Sequence, residues 1–262
     1  MKRIAAFAVC AVCALALVAC QKKEAPTAAP AAPPAPTAAA PAAPTPPPPP
    51  AAPGSIKGRV AWTGPMVEPA RLNRSADPAC GTTPAYDESV MVNTNKTLRN
   101  VLVRITGPLP SALPAVPAAK VTLEQKDCLY HPHVLGVVAG QTLEITNGDQ
   151  TLHNIHTYKG QTSVSNKAQM AGGAPIEQVF KDDTALLKFK CDVHPWMSAF
   201  VSVTNHPWFS VTGTDGAFEL KNVPPGTYDV EAWHEKFGTK ATKVMVGVSA
   251  AETMFTYDGN EK

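Results

Sequence analysis

Beyond residue 53 the apolar side chains of this chain recur every second position. In Ala185–Cys191 the residues Ala185, Leu187, Phe189 and Cys191 fall on one side and Lys188 and Lys190 on the other. Such alternation predicts a half-buried strand, because successive side chains of an extended backbone point to opposite faces. Further short alternating or β-branched runs cover Ile56–Trp62, Asn100–Thr106, Val134–Val138, Thr142–Thr146, Leu152–Thr157, Ala199–Val203, Ala217–Leu220, Thr227–Trp233 and Lys243–Val248. Turn chemistry separates them: Asn147-Gly148-Asp149, Asp215-Gly216 and Pro224-Pro225-Gly226. Helix-period segments are hard to find. The pattern predicts an all-β protein of β-sandwich type.

The first 53 residues read differently. Lys2 and Arg3 precede an apolar run from Ile4 to Val18, which is short for a membrane span and ends in Leu17-Val18-Ala19-Cys20. This resembles a bacterial lipoprotein export signal over residues 1–19, with Cys20 as the lipidated N-terminus of the mature protein. Gln21 in second place, by analogy with the sorting rule of Gram-negative bacteria, favours the outer membrane. From Ala25 to Pro53 the chain is almost wholly Ala, Pro and Thr. It has no large side chains with which to build a core. At about 3.1 Å per residue in the polyproline II conformation it reaches roughly 90 Å, a tether over residues 20–53 that holds a folded part away from a membrane.

Charge adds little. Of the 23 Lys and Arg residues, Lys2 and Arg3 lie in the leader, and the remainder balance the 21 Asp and Glu residues. Nothing points to a nucleic-acid partner. Beyond the leader and Cys20 three cysteines remain, Cys80, Cys128 and Cys191. The simplest pairing in an oxidising compartment joins Cys80 to Cys128 and leaves Cys191 free, a liability unless a metal ligates it.

Cys191 opens the heptapeptide Cys-Asp-Val-His-Pro-Trp-Met, which places a thiol, an imidazole and a thioether on a loop between two expected strands. Copper electron-transfer sites combine two imidazoles and a thiolate with a weak axial thioether. The second imidazole is available at His153, in Thr-Leu-His-Asn-Ile-His, after the strand-like run Gly140–Asn147. A Cys-x-x-His pair can also hold zinc, and Cys191 can be a buried thiol without metal.

Residues 121–205, with His153-Asn154 upstream of Cys191-x-x-His194-x-x-Met197, resemble the cupredoxin family, and the tight loop with Pro195 looks most like amicyanin. The resemblance implies a Greek-key β-sandwich with one type 1 copper ion. It implies His153, Cys191, His194 and Met197 as ligands, and Asn154 as the residue that ties the Cys loop to the His strand. His194 is expected to present its ring edge to solvent, with Pro195 and Trp196 around it as an electron port; for Trp196 a core role is the alternative. Four protein ligands leave no place for a substrate, so the implied role is single-electron transfer rather than catalysis. The implied partners are periplasmic or membrane redox proteins such as a cytochrome or a dehydrogenase. His131-Pro132-His133 is read as structural or surface sequence. His156 has the opposite strand parity to His153 and is not expected as a ligand. No partner is evident for His206 or His234.

Residues 206–262 carry Gly216-x-Phe218-x-Leu220-x-x-Val223-Pro224-Pro225-Gly226-x-Tyr228, which resembles the carboxypeptidase regulatory-like, or transthyretin-like, β-sandwich. That module has no chemistry of its own. Its opening strand is missing, and Ser55–Trp62 is a candidate for it, which would make the copper domain an insertion. Residues 63–120 match neither family. Two other functions stay open at this point: a copper-sequestering lipoprotein, and a structural or adhesion lipoprotein without electron transfer.

Overall fold

A computed structural model of the chain describes residues 52–81, 83–181 and 186–261. The leader, Cys20, Ala185 and nearly all of the Ala/Pro segment lie outside the described residues. Sixteen strands follow one another: β1 (Gly54–Trp62), β2 (Leu102–Gly107), β3 (Val121–Lys126), β4 (Leu129–His131), β5 (Val134–Val138), β6 (Thr142–Asn147), β7 (His153–Lys159) and β8 (Thr162–Gln169). The second half continues with β9 (Ile176–Val179), β10 (Leu187–Lys190), β11 (Ser198–Thr204), β12 (Phe209–Val211), β13 (Ala217–Val223), β14 (Gly226–His234), β15 (Gly238–Val246) and β16 (Ala250–Tyr257). No helix occurs among the described residues, so the protein is all-β.

The strands form two sandwiches. In the first, a sheet ordered β4-β3-β6-β9 faces one ordered β5-β11-β10-β7-β8. Between them lies a core that includes Leu123, Leu143, Ile145, Ile155, Leu187, Phe189, Val201 and Val203. These are the inward positions that the alternation marks; Leu187 and Phe189 are buried while Lys188 and Lys190 lie half-buried outside. In the second sandwich, β13-β1-β16 faces β12-β2-β14-β15 around Ile56, Val60, Trp208, Leu220, Val230 and Phe255. β1 is the middle strand of its sheet, antiparallel to β13 and parallel to β16. β2 also belongs here, between β12 and β14. The first sandwich is therefore threaded between β2 and β12 of the second.

A third cluster joins the two. Leu102, Val134 and Phe200 are buried together, with Phe209, Val211 and Trp233 packed against them. Gly136 on β5 makes the approach possible: a Cβ there would stand 2.3 Å from the Phe209 ring. Arg104 on β2 crosses the seam, donating to Ser202 on β11 at 3.2 Å and pairing with Glu231 at 3.0 Å. The buried ring of His133 spans the same seam, bonded to the Ser198 carbonyl at 3.1 Å and to Glu235.

Residues 70–81 and 83–87, which match no recognised pattern in the sequence, form a cap at one end of the first sandwich. Their two arms pair through Leu72 N–H to Ala85 O and Asp87 N–H to Ala70 O, each 2.9 Å. Arg74 is buried inside and donates to the carbonyls of Asp127 and Thr83. A disulfide joins Cys80 of the cap to Cys128, and Cys191 is free and buried.

Candidate metal centre

Three elements converge beneath the cap. β7 begins with His153, directly after the turn at Asn147–Asp149, where the Asp149 N–H donates to Asn147 Oδ1 at 3.0 Å. β10 and β11 pair with Lys190 opposite Ser198, so residues 191–197 form the loop that joins them. That loop is closed from inside by Met197 N–H to His194 O, 2.9 Å, and Cys191 N–H to Met197 O, 3.3 Å. Cys191 and Met197 are thus held together at its neck. Asn154 ties the loop to β7, its Oδ1 accepting from the Asp192 N–H at 2.6 Å and its amide donating to Asp192 Oδ2 at 3.0 Å. Tyr130 braces both strands through its hydroxyl, donating to Asn154 O at 2.6 Å and Lys190 O at 3.2 Å.

His153 Nδ1 and His194 Nδ1 stand 2.9 Å apart, and Cys191 Sγ lies 4.0 Å from the first and 3.6 Å from the second. Each imidazole points its other nitrogen at a carboxylate: His153 Nε2 to Asp149 Oδ2 at 2.9 Å, His194 Nε2 to Asp77 Oδ2 at 3.0 Å. An ionised carboxylate only accepts, so each Nε2 carries a proton, and in the neutral ring the Nδ1 presents a lone pair. Two lone pairs and a sulfur therefore face one point, with no donor but the thiol between them. The lone pairs repel each other, and that repulsion is relieved by a cation between them, either a metal ion or a proton shared by the two Nδ1 atoms. For nitrogen and sulfur ligands about 2.0–2.3 Å from a first-row ion, neighbouring donors stand about 3.2–3.7 Å apart. The observed spacings lie within a few tenths of an ångström of this range, and the residues fit a metal.

The surroundings are dry. His153, Cys191 and Met197 are 0% exposed. Burial is the main cause that holds the His153 imidazole below its ordinary pKa, opposed by the Asp149 bond. The bond from His194 is the main cause that holds the Asp77 carboxyl below its ordinary range, assisted by the Thr151 hydroxyl at 2.8 Å. Asp149 is itself held by the N–H groups of Asp127 and Cys128 at 2.7 and 2.8 Å.

His153, Cys191 and His194 come together as a set of donors, and Met197 lies in the same core. The exposed His194 edge does not occur. The ring is 1% exposed, because Asp77 and the cap lie over the side that the sequence leaves open. Pro195 is exposed, whereas Trp196 is half-buried, its indole 5.2 Å from the His194 ring and its Nε1 donating to Cys128 O at 3.0 Å. Trp196 is thus anchored in the core edge rather than free on a surface patch. His156 sits outside the donor set, bonded to Asp192 at 2.9 Å and Ser163 at 2.8 Å. His206 is buried and spans Ile105 O and the Trp208 N–H. Asp77, Asp149 and Thr151 have no signal in the heptapeptide. Asp149 could be suspected from its place in the turn four residues before His153; Asp77 is 117 residues from its partner, and only the Cys80–Cys128 pairing hints at it.

Residues 205–258 match the family described as the BOS complex subunit NOMO1-like second β-sandwich domain. No curated protein matches the chain. Solved structures similar to part of it include amicyanin from Paracoccus versutus, at 23% identity and TM-score 0.30 over 38% of this chain and 96% of that one. They also include a purple cupredoxin from Nitrosopumilus maritimus, at 23% and 0.27 over 33% and 99%. The copper-containing nitrite reductase of Thermus scotoductus is similar at 19% and 0.30 over 37% of this chain, which spans 25% of that enzyme's length.

Proposed function

We propose that this chain is a type 1 copper protein of cupredoxin kind that carries single electrons between redox proteins. The observation that carries this reading is the convergence of His153 Nδ1, His194 Nδ1 and Cys191 Sγ in a buried space, with both imidazole tautomers set by carboxylates. Met197, whose backbone closes the loop, would supply a weak thioether ligand. A copper ion held there would alternate between Cu(II) and Cu(I), accepting one electron from a reduced partner and giving it to an oxidised one. The residues contribute rigidity: the loop bonds and Asn154 fix the donors before metal arrives, so little has to move when the charge changes. Burial of all four side chains leaves no approach for a substrate, which favours a carrier over a catalyst. In this reading lipid on Cys20 and the Ala/Pro tether hold the carrier on the periplasmic side of a bacterial membrane, the outer one by its Gln21, within reach of partners such as a cytochrome or a dehydrogenase.

The test is the visible and electron-paramagnetic-resonance spectrum of protein loaded with Cu(II). An intense thiolate-to-copper band with narrow copper hyperfine splitting is expected, and Cys191→Ser removes the band. A coloured Cys191→Ser variant would sink the proposal. A coloured protein that exchanges no electrons, with itself or with a soluble cytochrome, would instead identify a copper-sequestering lipoprotein.

A further inference from the structure

The cap reaches the donor set with a hydrogen bond from Asp77, and the groups around Asp77 hold it in place. Its backbone is bound on both sides, Asp77 N–H to Arg74 O at 3.3 Å and Cys80 N–H to Asp77 O at 3.0 Å. One carboxylate oxygen accepts from the Ala79 N–H at 2.8 Å, and the other receives Thr151 and His194. Three residues on, Cys80 is bonded to Cys128, whose N–H holds Asp149, the carboxylate on the other imidazole. The Cys80, Cys128 and His194 donor atoms all lie within 4.8 Å of one another. One disulfide therefore sits against the His194 ring and links the segments that orient both imidazoles. Asp77 remains 23% exposed on its side chain, so a negative charge stays at the rim while the ring beneath it is closed off.

We propose that Asp77 is a positioning residue for the copper ligand His194, delivered by a disulfide-pinned cap that shuts this imidazole away from solvent. The inference rests on the copper reading above. The carboxylate fixes the Nε2–H tautomer, aims Nδ1 at the metal, and keeps the ring in place when the metal charge falls from +2 to +1. Its charge stabilises the more positive oxidised state, so it lowers the reduction potential.

Two measurements test this, the first independent of metal. In metal-free protein, nitrogen–proton correlation spectra of the imidazoles should show His194 as a single Nε2–H tautomer with a slowly exchanging proton. In Asp77→Ala that ring should become a mixture with fast exchange, while His153 is unchanged. In copper-loaded protein, Asp77→Asn, which keeps an acceptor oxygen without charge, should retain its colour and shift the Cu(I)/Cu(II) ratio at fixed poise about tenfold toward Cu(I), equivalent to about 59 mV for a one-electron couple. Asp77→Ala should lower Cu(II) affinity about 10–100-fold, the usual loss when the partner of a metal-bound imidazole is removed. Wild-type tautomer, potential and affinity in both variants would overturn the proposal and leave the copper reading standing. Failure of the unsubstituted protein to give the thiolate–copper band would overturn both. Should Asp77→Ala fail to fold, the near-isosteric Asp77→Asn and the wild-type imidazole spectrum decide alone.

Discussion

Histidine serves opposite ends at different places in this molecule. His153 and His194 each have both ring nitrogens committed, one to a carboxylate and one to the shared space. His234 is equally buried, stacks on Phe237 at 4.6 Å and accepts from the Lys236 N–H, but its Nε2 has no partner in the structure. Burial is the main cause that pushes its pKa from 6.5 down to about 4; His133 and Lys236 add to the effect and Glu261 opposes it. The folded state thus prefers the neutral ring. Its contribution is complete above the ordinary pKa of 6.5 and is lost as pH falls through about 4, and it amounts to about 3 kcal/mol. His234→Phe should therefore narrow the stability gap between pH 7 and pH 4 by about that amount, measured by urea unfolding at the two pH values. An unchanged gap would place the acid sensitivity elsewhere.

At the scale of elements, tight contact between strands is the controlling constraint. Gly136 lets β5 lie against the Phe209 ring of β12, and Gly136→Ala puts a methyl 2.3 Å from that ring. The strand or the ring has to give way, at a cost of about 1–3 kcal/mol. A denaturant midpoint at the wild-type value would show that the seam is looser than it looks. Elements with at least one buried face were legible in the sequence: β5, buried on both, matches the expected Val134–Val138, and β6, β7, β10, β11, β13 and β14 lie within a few residues of their expected bounds. β8 was not legible, because Thr162–Gln169 is an edge strand exposed along most of its length and has no apolar alternation to read. The donors of the candidate site were legible because a loop concentrates them within seven residues. The cap was not, since Asp77 acquires its meaning only from the disulfide that carries it to His194.

Across the whole molecule, links between residues distant in sequence hold the parts in register. The Cys80–Cys128 bridge spans 48 residues of chain and fastens the cap to the first sandwich. Closing a loop of that length is worth about 4 kcal/mol in the chain-entropy account. Cys80→Ala/Cys128→Ala should lose stability of that order in urea unfolding, and a loss under 1 kcal/mol would show that Arg74 and the paired arms hold the cap without it. The second sandwich depends on a longer link. β1 pairs with β16 along its length, from Ser55 against Ala250 to Trp62 against Tyr257. The earliest described strand in the chain thus waits for the last, while the strands of the first sandwich are complete in sequence at residue 204. Pairings so distant form slowly. Until they form, β13 and β16 each lack the neighbour that β1 provides, and exposed strand edges of this kind recruit other chains. The half that carries the candidate site therefore depends on no strand beyond residue 204, whereas the other half keeps adhesive edges until the two ends of the described chain meet, and a chaperone or a dilute compartment protects it most before that.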